Sequence, residues 1–187
     1  MIFKSPFRDV HPPKEFKGSV ARFFWRQLDV YKQNTLFIDF ASGRKWTGTQ
    51  IKSASSQIAR NLIRLCSLKA QENTVFFYPN SDHIHITALA VIFAGSSVCA
   101  GYADDPRGEH AYMLEVMRPK VVFVCWRLYE EMAAIREQSN GFHNYKICIM
   151  DDDDDDTTAK QFPEDAIGLH RHLMKQEPYA NGNSTKD

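Results

Sequence analysis

The stretch that decides the fold is TVFFYPNSDHIHITALAVIFAGSSVCAG, from Thr74 to Gly101. β-Branched and aromatic residues fill Thr74–Tyr78 without polar alternation, which is typical of a strand covered on both faces. Pro79-Asn80-Ser81 predicts a turn and a helix N-cap, and Gly95 predicts the end of that helix. The run Ser97–Gly101 then predicts a second strand. A strand, a helical crossover and another strand form a parallel βαβ unit.

The same alternation continues on both sides of this unit. A helix over about Arg107–Met117 is predicted to precede a strand at Lys120–Cys125. A helix over about Leu128–Gln138 is predicted to precede a strand at Tyr145–Met150. Upstream, Leu36–Phe40 is predicted as a fifth strand. The fold class is therefore α/β, a doubly wound and mostly parallel sheet with flanking helices, with its strands mostly buried.

Two upstream helices and the outer boundaries complete the predicted organisation. An apolar stripe after Gly18 predicts one helix, and the capping-box spacing of Thr47 and Gln50 predicts the start of another. Residues 1–17 are predicted to be an extended N-terminal arm and residues 18–150 the α/β unit. Residues 151–187 are predicted to form an acidic loop, a short helix within AIGLHRHLMK and a disordered tail.

Composition limits the class of partner. The chain has 187 residues, which suits one domain or part of a larger one, and 43% of them are hydrophobic. Lys and Arg together number 23, as do Asp and Glu, so no basic surplus indicates a nucleic-acid partner. The four cysteines form no Cys-x-x-Cys pair, and the N-terminus lacks an apolar signal segment. Both features favour reduced core thiols in an intracellular protein.

A membrane span was the main alternative for the opening stretch. No residue from Ile84 to Ala103 is formally charged, and twenty such residues could cross a bilayer. Gly95-Ser96-Ser97 interrupts the run, however, and no Lys or Arg cluster flanks it. The sequence therefore predicts no membrane span.

The acidic run and the two histidine pairs contain residue types that bind metals. Asp151–Asp156 places Thr158, rather than glycine, at the sixth position of its only register with a terminal glutamate, so it does not match an EF-hand. It is interpreted as a solvated acidic loop. In His83/His85 and in His170/His172 the residues are two apart, so on a helix they point in nearly opposite directions. Neither pair is interpreted as a metal site.

Nucleophile and phosphate motifs are also missing. Ser81-Asp82-His83 contains hydrolase residue types, but no Gly-x-Ser-x-Gly turn presents a nucleophile. The nine glycines are scattered, with no Gly-x-Gly-x-x-Gly and no phosphate loop ending in Lys and Ser or Thr. No catalytic, cofactor-binding or metal-binding residue is therefore assigned.

Several segments nevertheless resemble one family over about Phe3–Asp155. They are FKSPFRDVHPP, LFIDFASGRKWTGTQI, NTVFFYPNSDHIHITALAVIFAGSSV and EHAYMLEVMRPKVVFV. In this order they resemble the N-terminal part of adenylate-forming (AMP-binding) enzymes, such as 4-coumarate–CoA ligases, firefly luciferases and related acyl-CoA synthetases. Thr47-Gly48 stands where these enzymes have Thr-Tyr, and Tyr102-Ala103 and Asp105-Pro106 also depart from their pattern.

The resemblance implies ligase chemistry but not its catalytic motifs. The family uses ATP, Mg²⁺ and coenzyme A to convert a small carboxylic acid into an acyl-adenylate and then a thioester. The family's phosphate loop and later motifs do not occur in these 187 residues. The chain is therefore expected to be a ligase fragment that is inactive alone and needs no cofactor by itself. The alternatives are a non-catalytic interaction module, which could dock on a full-length relative, and a self-sufficient flavodoxin-like binder. The resemblance implies a cytoplasmic or peroxisomal location, although Ser-Lys-Leu is absent from the end.

Overall fold

The computed structural model describes residues 18–139, 141–152 and 161–175. The predicted arm at 1–17, the tail from 176 onwards and most of the acidic loop lie outside the described residues. The helices are α1 Val20–Val30, α2 Gly48–Cys66, α3 Asp82–Phe93, α4 Arg107–Met117 and α5 Tyr129–Gln138. The strands are β1 Thr35–Ile38, β2 Lys45–Thr47, β3 Asn73–Phe77, β4 Ser97–Gly101, β5 Val121–Val124, β6 Lys146–Ile149 and β7 Ala166–Gly168.

Five of the strands form one parallel sheet in the order β4-β3-β5-β6-β7. This confirms the predicted α/β class and the βαβ unit made by β3, α3 and β4. β3, β5 and β6 are almost completely buried, as predicted. β4 is different, because it lies at the edge of the sheet and three of its five residues are exposed. The expectation of burial was wrong for this strand.

The two faces of the sheet carry separate apolar cores, which is the doubly wound arrangement. Alternate strand residues point to opposite faces, as strand geometry requires. Phe76 and Phe123 pack with α2 and α3 on one face, and their rings stack with centroids 4.3 Å apart. On the other face, Val122 and Ile147 pack with α4 and α5.

The stretch from Thr74 to Gly101 is not a continuous helix. α3 ends at Phe93, and Gly95 follows with a positive φ of 79°. The Ser81 hydroxyl caps the helix by accepting a bond from the Ile84 N–H at 3.3 Å. Along the described parts of the chain, no helix has the length and apolar character needed to cross a membrane. This outcome supports the βαβ interpretation over the membrane alternative.

The first predicted strand does not join the parallel sheet. β1 pairs antiparallel with β2, a strand that was not predicted, and the two form a separate hairpin. Its outer residues are open to solvent, with Ile38 64% exposed. The hairpin lies against α3 through Phe37, whose ring stacks on His85 with centroids 5.5 Å apart. The prediction of a buried parallel strand at Leu36–Phe40 was therefore wrong in both pairing and burial.

The segment predicted as a short helix near the end is a strand followed by a helical turn. Ala166–Gly168 forms β7, which pairs with β6, and Leu169–Leu173 forms one π-helical turn. Leu169 and Leu173 are completely buried against α2 and α3. Three residues are too short to show strand periodicity, so the sequence pattern alone favoured the helix.

Candidate functional site at the carboxyl edge of the sheet

The carboxyl ends of the parallel strands define where a site would lie. In open α/β sheets, ligands bind beyond these ends where successive connections leave in opposite directions. Here β3 is followed by β4 on one side, whereas β5 lies on the other side of β3. The loops that begin at Tyr78, Tyr102, Cys125 and Met150 all lie at this edge. The polar side chains at the ends of these loops therefore form the candidate site.

Asp82 is a buried carboxylate at the start of α3, directly after the loop that follows β3. It is 6% exposed and sits in the first turn of α3, where the helix dipole favours a negative charge. Its Oδ2 accepts a bond from the Trp46 indole N–H at 2.7 Å and lies 3.4 Å from the Arg44 guanidinium. Trp46 belongs to β2 and Arg44 lies just before it. The carboxylate therefore fastens the β1–β2 hairpin to α3.

Two histidines meet beside this carboxylate. His83 is 8% exposed, and its Nε2 contacts the Arg44 guanidinium. Its ring also lies edge-on to the ring of His170, with centroids 4.6 Å apart. The sequence analysis paired His83 with His85 and His170 with His172, because each pair lies close together in the sequence. The structure instead brings together one member of each pair, because β7 returns beside β6.

Within the ranges that the structure describes, no three His, Cys, Asp or Glu side chains are grouped so that they could hold a metal ion. The Nε2 atom of His83 is in contact with the Arg44 guanidinium. The cluster is a polar clamp between elements that are far apart in sequence.

Asp152 shows that the acidic run is not simply solvated. Its side chain is completely buried, and its two oxygens accept bonds from the backbone N–H groups of His170 and Arg171, each at 2.8 Å. Gly168 packs directly against it, since a Cβ there would lie 2.0 Å from the Asp152 Oδ2. Asp151 accepts a bond from the Trp126 N–H at 2.7 Å. The solvated interpretation was wrong for Asp152, whereas Asp151 is partly exposed and Asp153–Asp156 lie outside the described residues.

A shallow groove lies beyond β5, between the start of α5 and the segment before β7. Its volume is about 650 Å³, and it is lined by Trp126, Arg127, Tyr129, Glu130 and residues 161–164. Arg127 forms an ion pair with Asp104, which lies in the loop after β4. Burial, followed by its bond to Asp165, raises the pKa of Tyr129 to about 12. Tyr129 therefore stays protonated near neutral pH and acts as a donor rather than as a base.

A buried histidine on the other face holds the loop after β4. His110 is 1% exposed, and its Nδ1 lies 2.8 Å from a Glu131 carboxylate oxygen. Its Nε2 lies 2.9 Å from the Tyr102 carbonyl oxygen. The contacts join α4, α5 and this loop. No sequence motif indicated this arrangement, since its members lie 8 and 21 residues from His110.

The comparisons with known proteins agree with this geometry. A family model described as AMP-binding enzyme matches residues 24–181. Because the match spans most of the chain, this protein belongs to the AMP-binding enzyme family. The predicted resemblance to acyl-CoA ligases and luciferases is thereby confirmed at the level of the family.

Solved structures show the same fold in longer chains. The luciferase-like enzyme of the mealworm Zophobas morio is 15% identical with a TM-score of 0.72, covering 90% of this chain and 36% of that one. A putative long-chain fatty-acid CoA ligase of Rhodopseudomonas palustris CGA009 is 14% identical with a TM-score of 0.67, covering 86% and 37%. A benzoate CoA ligase of Burkholderia xenovorans LB400 is 15% identical with a TM-score of 0.65, covering 89% and 30%. This chain spans about a third of their length, and at these identities the likeness establishes the fold alone.

Proposed function

We propose that this chain is the N-terminal scaffold of an ATP-dependent acyl-CoA ligase and does not catalyse adenylation by itself. The complete reaction joins a carboxylate to the α-phosphorus of ATP with release of pyrophosphate, and then transfers the acyl group to the coenzyme A thiol with release of AMP. Family membership and the shared fold support this class of reaction. No acid substrate is assigned.

The observation that carries the proposal is the pair of N–H groups occupied by Asp152. Phosphates bind in proteins where successive backbone N–H groups face outward, most often in glycine-rich loops. At the carboxyl edge of this sheet, the backbone N–H groups of His170 and Arg171 both donate to the carboxylate of Asp152. These two N–H groups are therefore already paired with a carboxylate of the chain itself.

Two arginines at this edge are also paired with carboxylates of the chain itself. Arg44 lies against Asp82, and Arg127 is paired with Asp104. Developing negative charge on a triphosphate must be met by cations, metal ions and N–H donors. These contacts support the proposal, and we assign no step of the reaction to the described residues.

The proposal is tested by pyrophosphate exchange. The purified chain is incubated with ATP, Mg²⁺, labelled pyrophosphate and a panel of aryl and fatty acids, with a full-length acyl-CoA ligase as the positive control. We expect no acid-dependent exchange above the buffer value. Acid-dependent exchange that co-elutes with the chain through two different purification columns would overturn the proposal.

The second candidate function is docking on a longer member of the same family, and the exposed hairpin favours it. A two-stranded hairpin is marginal by itself, and this one leaves its outer side uncovered. Leu36, Ile38 and Phe40 are 39%, 64% and 100% exposed. A partner strand could pair with the free edge of β1 and cover these side chains.

Docking is tested by sedimentation of the chain mixed with a full-length acyl-CoA ligase from the same organism. We expect a complex that Ile38→Ser and Phe40→Ser weaken. Tyr112→Ser is the matched control, because Tyr112 is 65% exposed on α4, away from the hairpin. Loss of the complex in the control alone, or no complex at all, would contradict this candidate.

A further inference from the structure

The strand β4 is an open edge of the parallel sheet. It pairs with β3 on one side only, whereas the strand at the opposite edge, β7, has just three residues. Proteins protect the edges of their sheets with charged side chains, proline, bulges or very short strands. β4 has five residues without charge or proline, and its register with β3 is continuous from Ser97 to Gly101. The strand therefore has none of these protections.

The ladder with β3 shows which backbone groups of β4 face outward. The Ser97 N–H donates to the Glu72 carbonyl oxygen at 3.0 Å, so every second residue from Ser97 onwards directs its backbone groups towards β3. Val98 and Ala100 consequently direct their N–H and C=O groups away from the sheet. Within the described ranges, no backbone group bonds to these outward donors and acceptors.

We infer that β4 pairs antiparallel with β4 of a second copy of this chain, about a two-fold axis at Cys99. In this register Val98 of each copy lies opposite Ala100 of the other, and both pairs exchange main-chain hydrogen bonds in each direction. The Cys99 residues of the two copies then form the directly opposite, non-hydrogen-bonded pair between them. A second copy fits this edge because the outward donors of the strand match its own outward acceptors.

The charges at the two ends of β4 favour the same orientation. Exposed Lys69 lies beside the start of the strand, where its carbonyl oxygen accepts a bond from the Ser96 hydroxyl at 2.8 Å. The nearby Glu72 carboxylate is bonded to the Lys69 N–H within its own loop. Asp105 lies just beyond the end of the strand and accepts a bond from the Tyr102 N–H at 3.3 Å. Antiparallel pairing brings the end beside Lys69 in one copy towards the end beside Asp105 in the other, which is a complementary arrangement.

The first test is sedimentation equilibrium of the full chain under reducing conditions, over a series of concentrations. We expect a monomer–dimer equilibrium. Ala100→Pro should weaken the dimer by at least about tenfold, because it removes one outward donor from each copy. An edge strand tolerates proline where the missing N–H faced outward. Val98→Lys is a second variant, which keeps every backbone group and should also weaken the dimer, since a charge on an edge strand opposes pairing.

Ile38→Lys is the matched control for these variants. Ile38 is 64% exposed on the β1–β2 hairpin, so a lysine there adds the same charge to a different exposed strand. We expect this variant to form the dimer like the unaltered chain, and circular dichroism should show that all three variants are folded.

Cys99 tests the register of the pairing. The Cα atoms of a directly opposite, non-hydrogen-bonded pair lie about 4.5 Å apart, and a disulfide spans about 4.4–6.8 Å. The other three cysteines are buried. Diamide, which takes two electrons and two protons from a pair of thiols, should therefore cross-link the dimer through Cys99, and Cys99→Ser should abolish the cross-link. Ser97→Cys combined with Cys99→Ser is the control, because this register separates the two copies of position 97 by roughly 13 Å along the strands.

Three outcomes would overturn the inference. The first is a chain that stays monomeric throughout the concentration series, which would leave the edge to a different protein. The second is equal cross-linking of the unaltered chain and the Ser97→Cys control, because the pairing would then have no fixed register. The third is a dimer that Ile38→Lys weakens and Val98→Lys does not, because the hairpin would then be the interface.

Discussion

At the scale of single residues, Gly168 and Asp152 form the most constrained contact of the carboxyl edge. Gly168 has an ordinary φ of −93°, so alanine would meet no backbone strain there. Its Cβ would lie 2.0 Å from the Asp152 Oδ2, however, and would displace the carboxylate from two N–H groups. We predict that Gly168→Ala lowers the free energy of unfolding by about 2–4 kcal/mol. Urea denaturation measures this loss.

Gly108 provides the matched control for this substitution. It lies in the first turn of α4, and nothing stands within 4 Å of an added Cβ. Gly108→Ala should raise the free energy of unfolding by about 0.5 kcal/mol, since alanine loses less backbone entropy in a helix. Similar melting curves for the two variants would show that Asp152 does not fill the space beside Gly168.

Asp165 should make the free energy of unfolding depend on pH. A bond from the Tyr129 hydroxyl, supported by Arg136, holds the pKa of this carboxyl below its ordinary value. A lowered pKa stabilises the folded state above the unfolded pKa, and that contribution disappears as pH falls through the folded pKa. We predict that Asp165→Asn flattens the dependence of unfolding free energy on pH below about pH 5. The effect should be under about 1 kcal/mol, because the side chain is 49% exposed.

The partner of Asp165 allows an independent check. Tyr129→Phe removes the donor while leaving the carboxyl and Arg136 in place. Acid titrations of the single and double variants should show that each single change removes most of the same pH dependence. A double variant that loses the sum of the two effects would contradict their coupling.

At the scale of elements, α3 packs into the apolar core that it shares with α2 and one face of the sheet. Val91 is 0% exposed between α2 and the sheet, whereas the neighbouring Ile92 is only partly buried. Val91→Asp would place an unpaired carboxylate in this core, at a cost of about 3–5 kcal/mol, which is comparable with the whole stability of many domains. We predict loss of cooperative thermal unfolding, measured by circular dichroism.

Ile63 on α2 is the corresponding exposed position. It is 50% exposed, so Ile63→Asp keeps its charge in water and should change stability by no more than about 1 kcal/mol. If both variants unfolded alike, the solvent-facing side of α2 would have been assigned wrongly. A melt of Val91→Asp that matches the unaltered chain would remove α3 from the core.

The elements also show where sequence patterns succeed and fail. β3, β5 and β6 were predictable, because continuous apolar runs identify strands covered on both faces. β1 has the same residue types but pairs with β2, and pairing depends on contacts such as Trp46 with Asp82 that span 36 residues. β7 was missed since a strand of three residues carries too little periodicity to oppose a helical pattern.

The candidate site was less predictable than the fold for the same reason. Turn and capping signals are local, so the Ser81 cap could be expected from its spacing. The His83–His170 contact and the two bonds to Asp152 depend on how β7 returns beside β6. A run of six aspartates predicts repulsion and solvation, and only the tertiary structure distinguishes its buried second member.

At the scale of the whole molecule, stability should be divided between the parallel sheet and the hairpin. The central strands β3, β5 and β6 are covered on both faces, and each has a hydrogen-bonded neighbour on both sides. The hairpin has two strands and an exposed outer side, and its polar contacts with α3 are made by Asp82 and His83. Local opening is easiest where apolar burial and neighbouring strands are fewest. The hairpin should therefore open without unfolding the sheet.

Hydrogen exchange measures this division directly. We predict that amides of Leu36–Ile38 exchange at least about a hundredfold faster than those of Val121–Val124, a difference that corresponds to about 3 kcal/mol in opening free energy. β4 is the internal control, since it belongs to the parallel sheet but has a neighbour on only one side, and it should be intermediate. Trp46→Phe, which removes the indole bond to Asp82, should accelerate exchange in the hairpin and leave β5 unchanged. Equal protection of the hairpin and β5 would mean that the two sheets unfold as one unit, and that the attachment through Asp82 is stronger than its few polar contacts indicate.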